Sequence, residues 1–127
     1  MKDIEHLIIL SEKSPSRYSA IMRAPDLVPS QILGVVLAAG EGRRFGGPKA
    51  PYIFNGQRLV DIAVSTLRGA GLTQVLVVLG AWRGDVENAT VIVNDEWQTG
   101  MASSLGCAIR EAERIAGCKA ILVTLVD

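Results

Sequence analysis

The stretch VVLAAGEGRRFGGPKAPYIF, residues 35–54, passes from continuous apolar side chains into glycines and then into clustered positive charge. Its first part is too apolar to leave one face of a strand in water, which is typical of a parallel sheet covered on both sides. Glycines let backbone N–H groups approach a ligand, and Arg43, Arg44 and Lys49 add positive charge. We predict a buried strand that ends in an anion-binding loop; the simpler alternative is a solvated turn.

Four apolar runs of strand length alternate with two segments of helical periodicity. The runs are residues 32–38, 75–80, 90–94 and 120–126, and the helical segments are 59–67 and 103–115. Ser103 or Ser104 is the expected N-cap of the second helix. The alternation predicts an α/β fold, Rossmann-like, with helices packed on both faces of a mostly parallel sheet.

Right-handed crossovers place the strand at residues 32–38 in the middle of the sheet. The strand at 120–126 then lies on one side of it and the strand at 75–80 on the other. Ligands of such folds bind at the carboxyl ends of the strands, where the two wings diverge. The glycine-rich loop begins at that place, and Asp127 follows the last strand to the same edge.

Composition limits the function classes. The chain has 127 residues, of which 49% are hydrophobic and 20% charged, and its formal net charge is zero. The protein therefore has no net positive charge to attract nucleic acid or an anionic membrane. No apolar run reaches membrane-spanning length. Cys107 and Cys118 are the only cysteines and are expected to be small buried residues. We expect a cytoplasmic protein that binds neither nucleic acid nor membrane.

Two familiar phosphate motifs do not fit the loop. A Walker A loop needs a lysine directly after its second glycine and then Ser or Thr, but here Pro48 separates Gly47 from Lys49, and Ala50 follows. The dinucleotide fingerprint G-x-G-x-x-G fails at its third glycine, where Phe45 stands.

The dinucleotide fold also has an acidic residue at the end of its second strand, where this chain has Gly80. A dinucleotide-binding oxidoreductase module nevertheless stays open as an alternative function.

Four segments resemble the MobA-like NTP transferase family. NGQRLVDIAVSTLRGAG, residues 55–71, resembles its substrate loop and first helix. LAAGEGRRFGGPK, residues 37–49, resembles its L-A-A-G-x-G-x-R-x-G-x-x-K signature. NDEWQTGMASSL, residues 94–105, is similar to the N-x-x-W-x-x-G-M-x-x-S-L segment of the molybdenum cofactor cytidylyltransferase branch. TLVD, residues 124–127, is similar to the strand that ends in the family's magnesium aspartate.

The resemblance implies a Mg²⁺-dependent nucleotidyltransferase with the fold of the nucleotide-diphospho-sugar transferases. It would move a nucleoside monophosphate from an NTP to a phosphorylated small molecule such as molybdopterin, with release of pyrophosphate. LAAG in place of LAGG implies CTP as the NTP.

The resemblance also assigns roles to residues. Arg44 would hold the β and γ phosphates and Lys49 would reach the α-phosphate, so both are the expected catalytic residues. Asp127 would bind Mg²⁺. The expected nucleotide-binding residues, besides these two cations, are Leu37, Ala38, Ala39, Gly40, Gly42, Gly100, Met101 and Ser103. Trp97 is either a wall of the acceptor pocket or a packing residue.

The resemblance covers residues 32–127, the expected nucleotide-binding part of the domain. Residues 1–31 hold three of the five prolines and no sustained period, which predicts an extension that is partly disordered or loosely packed. Family members continue beyond the magnesium aspartate, so we expect a fold incomplete at its C-terminus. A truncated chain that binds NTP weakly, or acts only as a non-catalytic binding module, is a further alternative.

Overall fold

The computed structural model describes residues 6–10 and 27–126. The strands are β1 (His6–Leu10), β2 (Ile32–Ala38), β3 (Ile53–Phe54), β4 (Gln57–Arg58), β5 (Gln74–Leu79), β6 (Thr90–Val93) and β7 (Ala120–Leu125). The helices are α1 (Leu59–Gly69) and α2 (Met101–Glu113), with short 3-10 turns at Pro29–Gln31 and Trp97–Thr99.

Five of these strands form one parallel sheet in the spatial order β1-β7-β2-β5-β6. The central strand β2 pairs with β5 on one side and with β7 on the other, so that Val36 lies between Val77 and Thr124. This order confirms the predicted position of the first apolar run. Because the connection through α1 leads to β5 and the connection through α2 leads to β7, the two wings diverge at the carboxyl end of β2.

Alternate residues of the sheet pack against different helices, as the two-residue period of a strand requires. Val36 and Ala38 share a buried cluster with Val64 and Leu67 of α1. On the other face, buried strand residues pack with two residues of α2, and this second cluster includes Leu33, Val35, Leu37, Ala108 and Ala112. The sheet thus lies between α1 and α2, which confirms the predicted α/β fold.

Helix α2 begins earlier than predicted. Its N-cap is Gly100, with φ 113° and ψ 176°, and Ser103 and Ser104 both lie inside its first turns, so their prediction as N-caps is wrong. Glycine is favoured here because a side chain is strained at that φ. The glycine connects the 3-10 turn at Trp97–Thr99 directly to the helix, whereas the sequence pattern indicated a start at the first serine.

A small antiparallel hairpin of β3 and β4 follows the glycine-rich loop and was not predicted. Asn55 and Gly56 form its turn with φ 52° and 82°. Two successive positive φ values are the mark of a type I′ turn, which Asn-Gly favours. The hairpin leads into α1 and carries the exposed side chains of Ile53 and Phe54.

Part of the predicted extension belongs to the sheet. His6–Leu10 pairs in parallel with β7 along five residues, from His6 opposite Ala120 to Leu10 opposite Thr124. The prediction of disorder for the rest of residues 1–26 falls outside the described residues and stays a prediction. Over 6–10 and 27–126, neither helix is long and apolar enough to cross a membrane.

Candidate active site

A cavity of about 250 Å³ opens at the carboxyl ends of β2 and β7, where α2 begins. Its position is the place where the two wings of the sheet diverge. The lining residues are Leu37, Ala39, Gly40, Trp97, Gly100, Met101, Ser104, Leu125 and Val126. The wall is therefore mostly apolar and includes one buried hydroxyl, on Ser104, beside the N-terminus of a 13-residue helix.

The glycine-rich loop beside this cavity closes on one carbonyl group. The oxygen of Gly42 accepts hydrogen bonds from the amides of Phe45, Gly46 and Gly47 at 2.9–3.0 Å. Gly42 has φ 65°, and a Cβ atom there would lie 1.9 Å from the oxygen of Gly47. No side chain fits that space, so the turn requires glycine for its close approach as well as for its backbone conformation.

The first half of the loop has unused hydrogen-bond donors. Within the described residues, the amides of residues 40–44 donate to no other protein group. The first amides of α2 likewise lack partners inside the helix, as at any helix N-terminus, and the helix dipole makes that end favourable for an anion. The cavity is bordered by the first residue of each set, Gly40 in the loop and Met101 in the helix, an arrangement suited to a phosphate chain.

The three cations of the loop differ in their surroundings. Arg43 forms an ion pair with Glu41, and its side chain is 86% exposed. Arg44 is also exposed but has no hydrogen-bond or ion-pair partner within the described residues. The Lys49 ammonium lies 5.4 Å from the centroid of the Phe45 ring, which packs edge-to-face on Tyr52 at 4.9 Å. Arg44 and Lys49 are thus the two cations available to an incoming anion.

Trp97 both packs and lines the cavity. A Cβ atom on Gly80 would lie 2.6 Å from the Cβ of Trp97 and 2.7 Å from the oxygen of Ala39. Gly80 therefore allows the end of β5 to approach both neighbours closely, and Trp97 packs there as well as lining the cavity. Its predicted role as a wall of the acceptor pocket stays a prediction. The position that an acidic residue occupies in dinucleotide-binding folds has no room for any side chain here.

A family comparison agrees with this geometry. The model of the MobA-like NTP transferase domain matches residues 34–127. The chain belongs to this family. The match begins inside β2 and includes the glycine-rich loop, the cavity and both helices.

Three curated relatives differ in name. A nicotine blue oxidoreductase of Paenarthrobacter nicotinovorans is 41% identical over 80 residues, which are 58% of this chain and 39% of that protein. A probable molybdenum cofactor guanylyltransferase of Opitutus terrae is 35% identical over 77% of this chain and 48% of its own. A Geobacillus protein of the same name is 56% identical over 39 residues, 31% of this chain and 20% of its own.

A solved relative supports the fold. The crystal structure of Rv0371c from Mycobacterium tuberculosis H37Rv has a TM-score of 0.60 and 29% identity, over 80% of this chain and 54% of that one. The matched regions reach at most about half the length of the curated relatives. Two of these are named guanylyltransferases, so the relatives do not support the cytidylyltransferase branch that the sequence indicated.

The MobA-like fold brings together only some of the predicted nucleotide-binding residues. Leu37, Ala39, Gly40, Gly100 and Met101 line the cavity. The other predicted residues with described positions lie outside the lining: Ala38, Gly42, Arg44, Lys49 and Ser103.

Ala38 and Ser103 lie outside the lining for different reasons. Ala38 is buried in the cluster on the α1 face, because consecutive strand residues point to opposite sides of a sheet. Ser103 lines a separate surface pocket beside Asn94 and Glu96. The roles predicted for both residues stay predictions, since they rest on the resemblance alone.

Asn94 is a residue whose structural importance the sequence reasoning missed, although the family motif contains it. It follows β6, is 4% exposed, and its amide nitrogen donates to the hydroxyl oxygens of Ser103 at 2.8 Å and Ser104 at 2.9 Å. Its amide oxygen accepts from the backbone N–H of Glu96 at 2.9 Å. A buried Asn directly after a strand is the signal, because it must find partners for three hydrogen-bonding functions.

The charged groups near the hairpin have structural partners. Arg58 donates to both carboxylate oxygens of Asp61 at 2.6 and 2.9 Å, and its guanidinium lies 5.4 Å from the Trp82 ring centroid. The hydrogen bond to Asp61 raises the pKa of Arg58, an effect that desolvation opposes. Asp61 therefore has a structural partner at the start of α1.

The cysteines agree only partly with their prediction. Cys118 is buried, and desolvation raises the pKa of its thiol, whereas Cys107 is only partly buried.

Asp127, the predicted metal ligand, lies outside the described residues. In the described part of the chain, no group of three or more His, Cys, Asp or Glu side chains could hold a metal ion. The described lining of the cavity contains no carboxylate, and Asp127 stays the predicted ligand.

Proposed function

We propose that this chain is the nucleotide-binding part of a transferase that moves a nucleoside monophosphate from an NTP to a phosphorylated small molecule. The observation that carries the proposal is the cavity at the divergence of the sheet, whose lining includes Gly40, the first residue of the loop that holds the unpaired amides of residues 40–44 and the cations Arg44 and Lys49. A base fits an apolar wall such as that of Leu37 and Trp97, and a triphosphate fits the loop.

The chemistry requires little covalent work from the protein. An oxygen of the acceptor phosphate attacks the α-phosphorus, the bond from that phosphorus to the bridging β-oxygen breaks, and pyrophosphate leaves with the electron pair. Attacking and attacked groups are both anionic, so positioned cations lower the repulsion. Arg44 would neutralise the leaving phosphates and Lys49 the α-phosphate. No general base is needed, because the acceptor oxygen is already deprotonated.

Magnesium belongs to the same proposal. Val126 lines the cavity and Asp127 follows it directly in the sequence, which supports Asp127 as the residue that would hold the ion. When bound, Mg²⁺ would supply further neutralisation of the phosphate oxygens.

The relatives and the loop sequence favour different donors. Two relatives are named guanylyltransferases, which favours GTP, while Ala39 in the LAAG motif favours CTP. We propose GTP as the donor and keep CTP as its competitor. The acceptor is proposed only as a phosphorylated small molecule, of which molybdopterin is the example that the relatives' names support.

An oxidoreductase function is the second candidate, because one relative is named nicotine blue oxidoreductase. The geometry supports it less well. Gly80 leaves no room for the acidic residue that holds a dinucleotide ribose, and Phe45 replaces the third glycine of the fingerprint.

Calorimetric titration of the intact chain with GTP, CTP, ATP and NADH, each with Mg²⁺, tests the proposal. We expect GTP to bind more tightly than CTP and ATP, and NADH to bind weakest. CTP as the tightest ligand would return the donor to the one predicted from Ala39. Equal affinity for the three triphosphates would contradict selection of the base, and preference for NADH would favour the oxidoreductase.

A further inference from the structure

The two serines at the start of α2 differ in what their hydroxyl protons can do. The backbone N–H of Glu96 donates to one end of the Asn94 amide, which fixes that end as the oxygen and the other end as the nitrogen. Both protons of the nitrogen are then used, one on the hydroxyl oxygen of Ser103 and one on that of Ser104. Each serine therefore accepts one hydrogen bond from the same side chain.

Ser103 uses its own proton within the protein. Its hydroxyl donates to the carbonyl oxygen of Gly100 at 2.9 Å, with that of Glu96 at 3.1 Å as a second acceptor. The carbonyl oxygen of Gly100 lies four residues before Ser104, where a serine hydroxyl in a helix usually finds its acceptor. Here it accepts from the hydroxyl of Ser103 instead. Ser103 is saturated, and it lies outside the cavity.

Ser104 has a proton to spare. It is 3% exposed, it lines the cavity, and its hydroxyl has no acceptor among residues 6–10 and 27–126. A buried hydroxyl without an acceptor is unfavourable, and the cavity wall around it is mostly apolar. A ligand atom that accepts a hydrogen bond would remove this deficit.

We propose that Ser104, held by Asn94, is a base-reading residue that donates its hydroxyl proton to an acceptor atom on the nucleobase. The inference rests on the proposed nucleotide binding and deepens it by naming the group that recognises the base. Bases offer such acceptors as carbonyl oxygens and ring nitrogens, in guanine as well as cytosine. The Ser104 hydroxyl can make this hydrogen bond without breaking one within the protein, because it donates to no described residue.

The experiment compares two variants that lose the same contact. Ser104→Ala and Ser103→Ala each remove one hydrogen bond from the Asn94 amide. Ser103→Ala also removes the bond to the Gly100 carbonyl oxygen, so it disturbs the start of α2 at least as much as Ser104→Ala does. We expect GTP or CTP, whichever the intact chain binds better, to bind roughly 10-fold more weakly to S104A than to S103A, the effect of one hydrogen bond. Inorganic tripolyphosphate, which has no base, should bind equally to both variants and to the unaltered chain.

Each result decides the matter. Equal nucleotide affinities of S104A and S103A would overturn the role of Ser104, and a larger loss in S103A would return base recognition to Ser103. A loss of tripolyphosphate binding in S104A would show that the serine supports the loop or helix rather than the base. If the unaltered chain binds tripolyphosphate but no nucleotide, the base-reading role fails, while anion binding by the glycine-rich loop is retained. If it binds neither, the proposed function itself fails.

Discussion

Arg44→Ala is expected to weaken binding of the nucleoside triphosphate by about 10- to 100-fold, the effect of losing a charge-assisted hydrogen bond. Arg44 has no protein partner within the described residues, so its guanidinium is free to make forked bonds to phosphate oxygens. Calorimetry with the triphosphate and Mg²⁺ measures the change.

In any assay of pyrophosphate release, Lys49→Ala should slow the reaction strongly, because the Lys49 ammonium is proposed to approach the α-phosphate.

The adjacent arginine is the matched control. Arg43 is paired with Glu41 and is exposed, so Arg43→Ala should leave triphosphate affinity within about two-fold, since an exposed ion pair contributes little. Both variants remove one positive charge from the same loop. Equal losses in R43A and R44A would mean that the loop attracts phosphate only through its total charge, and that the assignment of Arg44 is wrong.

Gly42→Ala is expected to abolish measurable triphosphate binding while the domain stays folded. A Cβ atom at this position would lie 1.9 Å from the oxygen of Gly47, and φ is 65°, so the loop must rearrange. The rearrangement costs little global stability, because the sheet and its two core clusters do not include the loop. Calorimetry with tripolyphosphate measures the anion affinity of the glycine-rich loop, and thermal unfolding measures the stability of the domain.

Gly69→Ala is the control for adding a methyl group. Gly69 is the last residue of α1, has no heavy atom within 4 Å of a built Cβ, and does not have a positive φ. The Gly69→Ala variant should bind tripolyphosphate as the unaltered chain does and be equally or slightly more stable. Normal anion binding by G42A would contradict the conclusion that the closed turn at Gly42 holds the glycine-rich loop in its anion-binding shape.

The central part of the fold could be predicted because its signals are strong. Residues 32–38 are predicted as a strand and β2 has those bounds, since both its faces are buried and the glycine-rich loop begins two residues later, at Gly40. The order of β7, β2 and β5 follows from the handedness of the crossovers. The loop that follows β2 was also predictable, because its glycines interrupt the apolar run, whereas its anion-binding role stays a prediction.

Each element that the sequence did not predict has a physical reason. The helical pattern of α2 starts at the serines, but Gly100 begins the helix earlier, and a φ of 113° cannot be read from apolar spacing. Asn55 and Gly56 are a hairpin signal that was overlooked between longer elements. The strand His6–Leu10 pairs with β7, which is distant in sequence, and no local pattern reports such a pairing.

The site was predicted less completely than the fold. The family motif predicts Leu37, Ala39 and Gly40 as binding residues, and all three line the cavity, because they are close together in the sequence. The different roles of Ser103 and Ser104 depend on Asn94, ten residues before the second serine, and on the direction of its amide. Hydrogen-bond direction is a property of the folded structure, so the sequence could not separate the two serines.

The most direct test of a triphosphate site in this cavity is the fluorescence of Trp97. Trp97 lines the cavity and Trp82 lies beside Arg58, so Trp82→Phe leaves one reporter at the proposed site. Titrating this variant with GTP and with CTP in the presence of Mg²⁺ should change the emission of Trp97 saturably, at the concentrations where calorimetry detects binding. Binding detected by calorimetry without any change in the emission of Trp97 would place the nucleotide elsewhere and contradict the account.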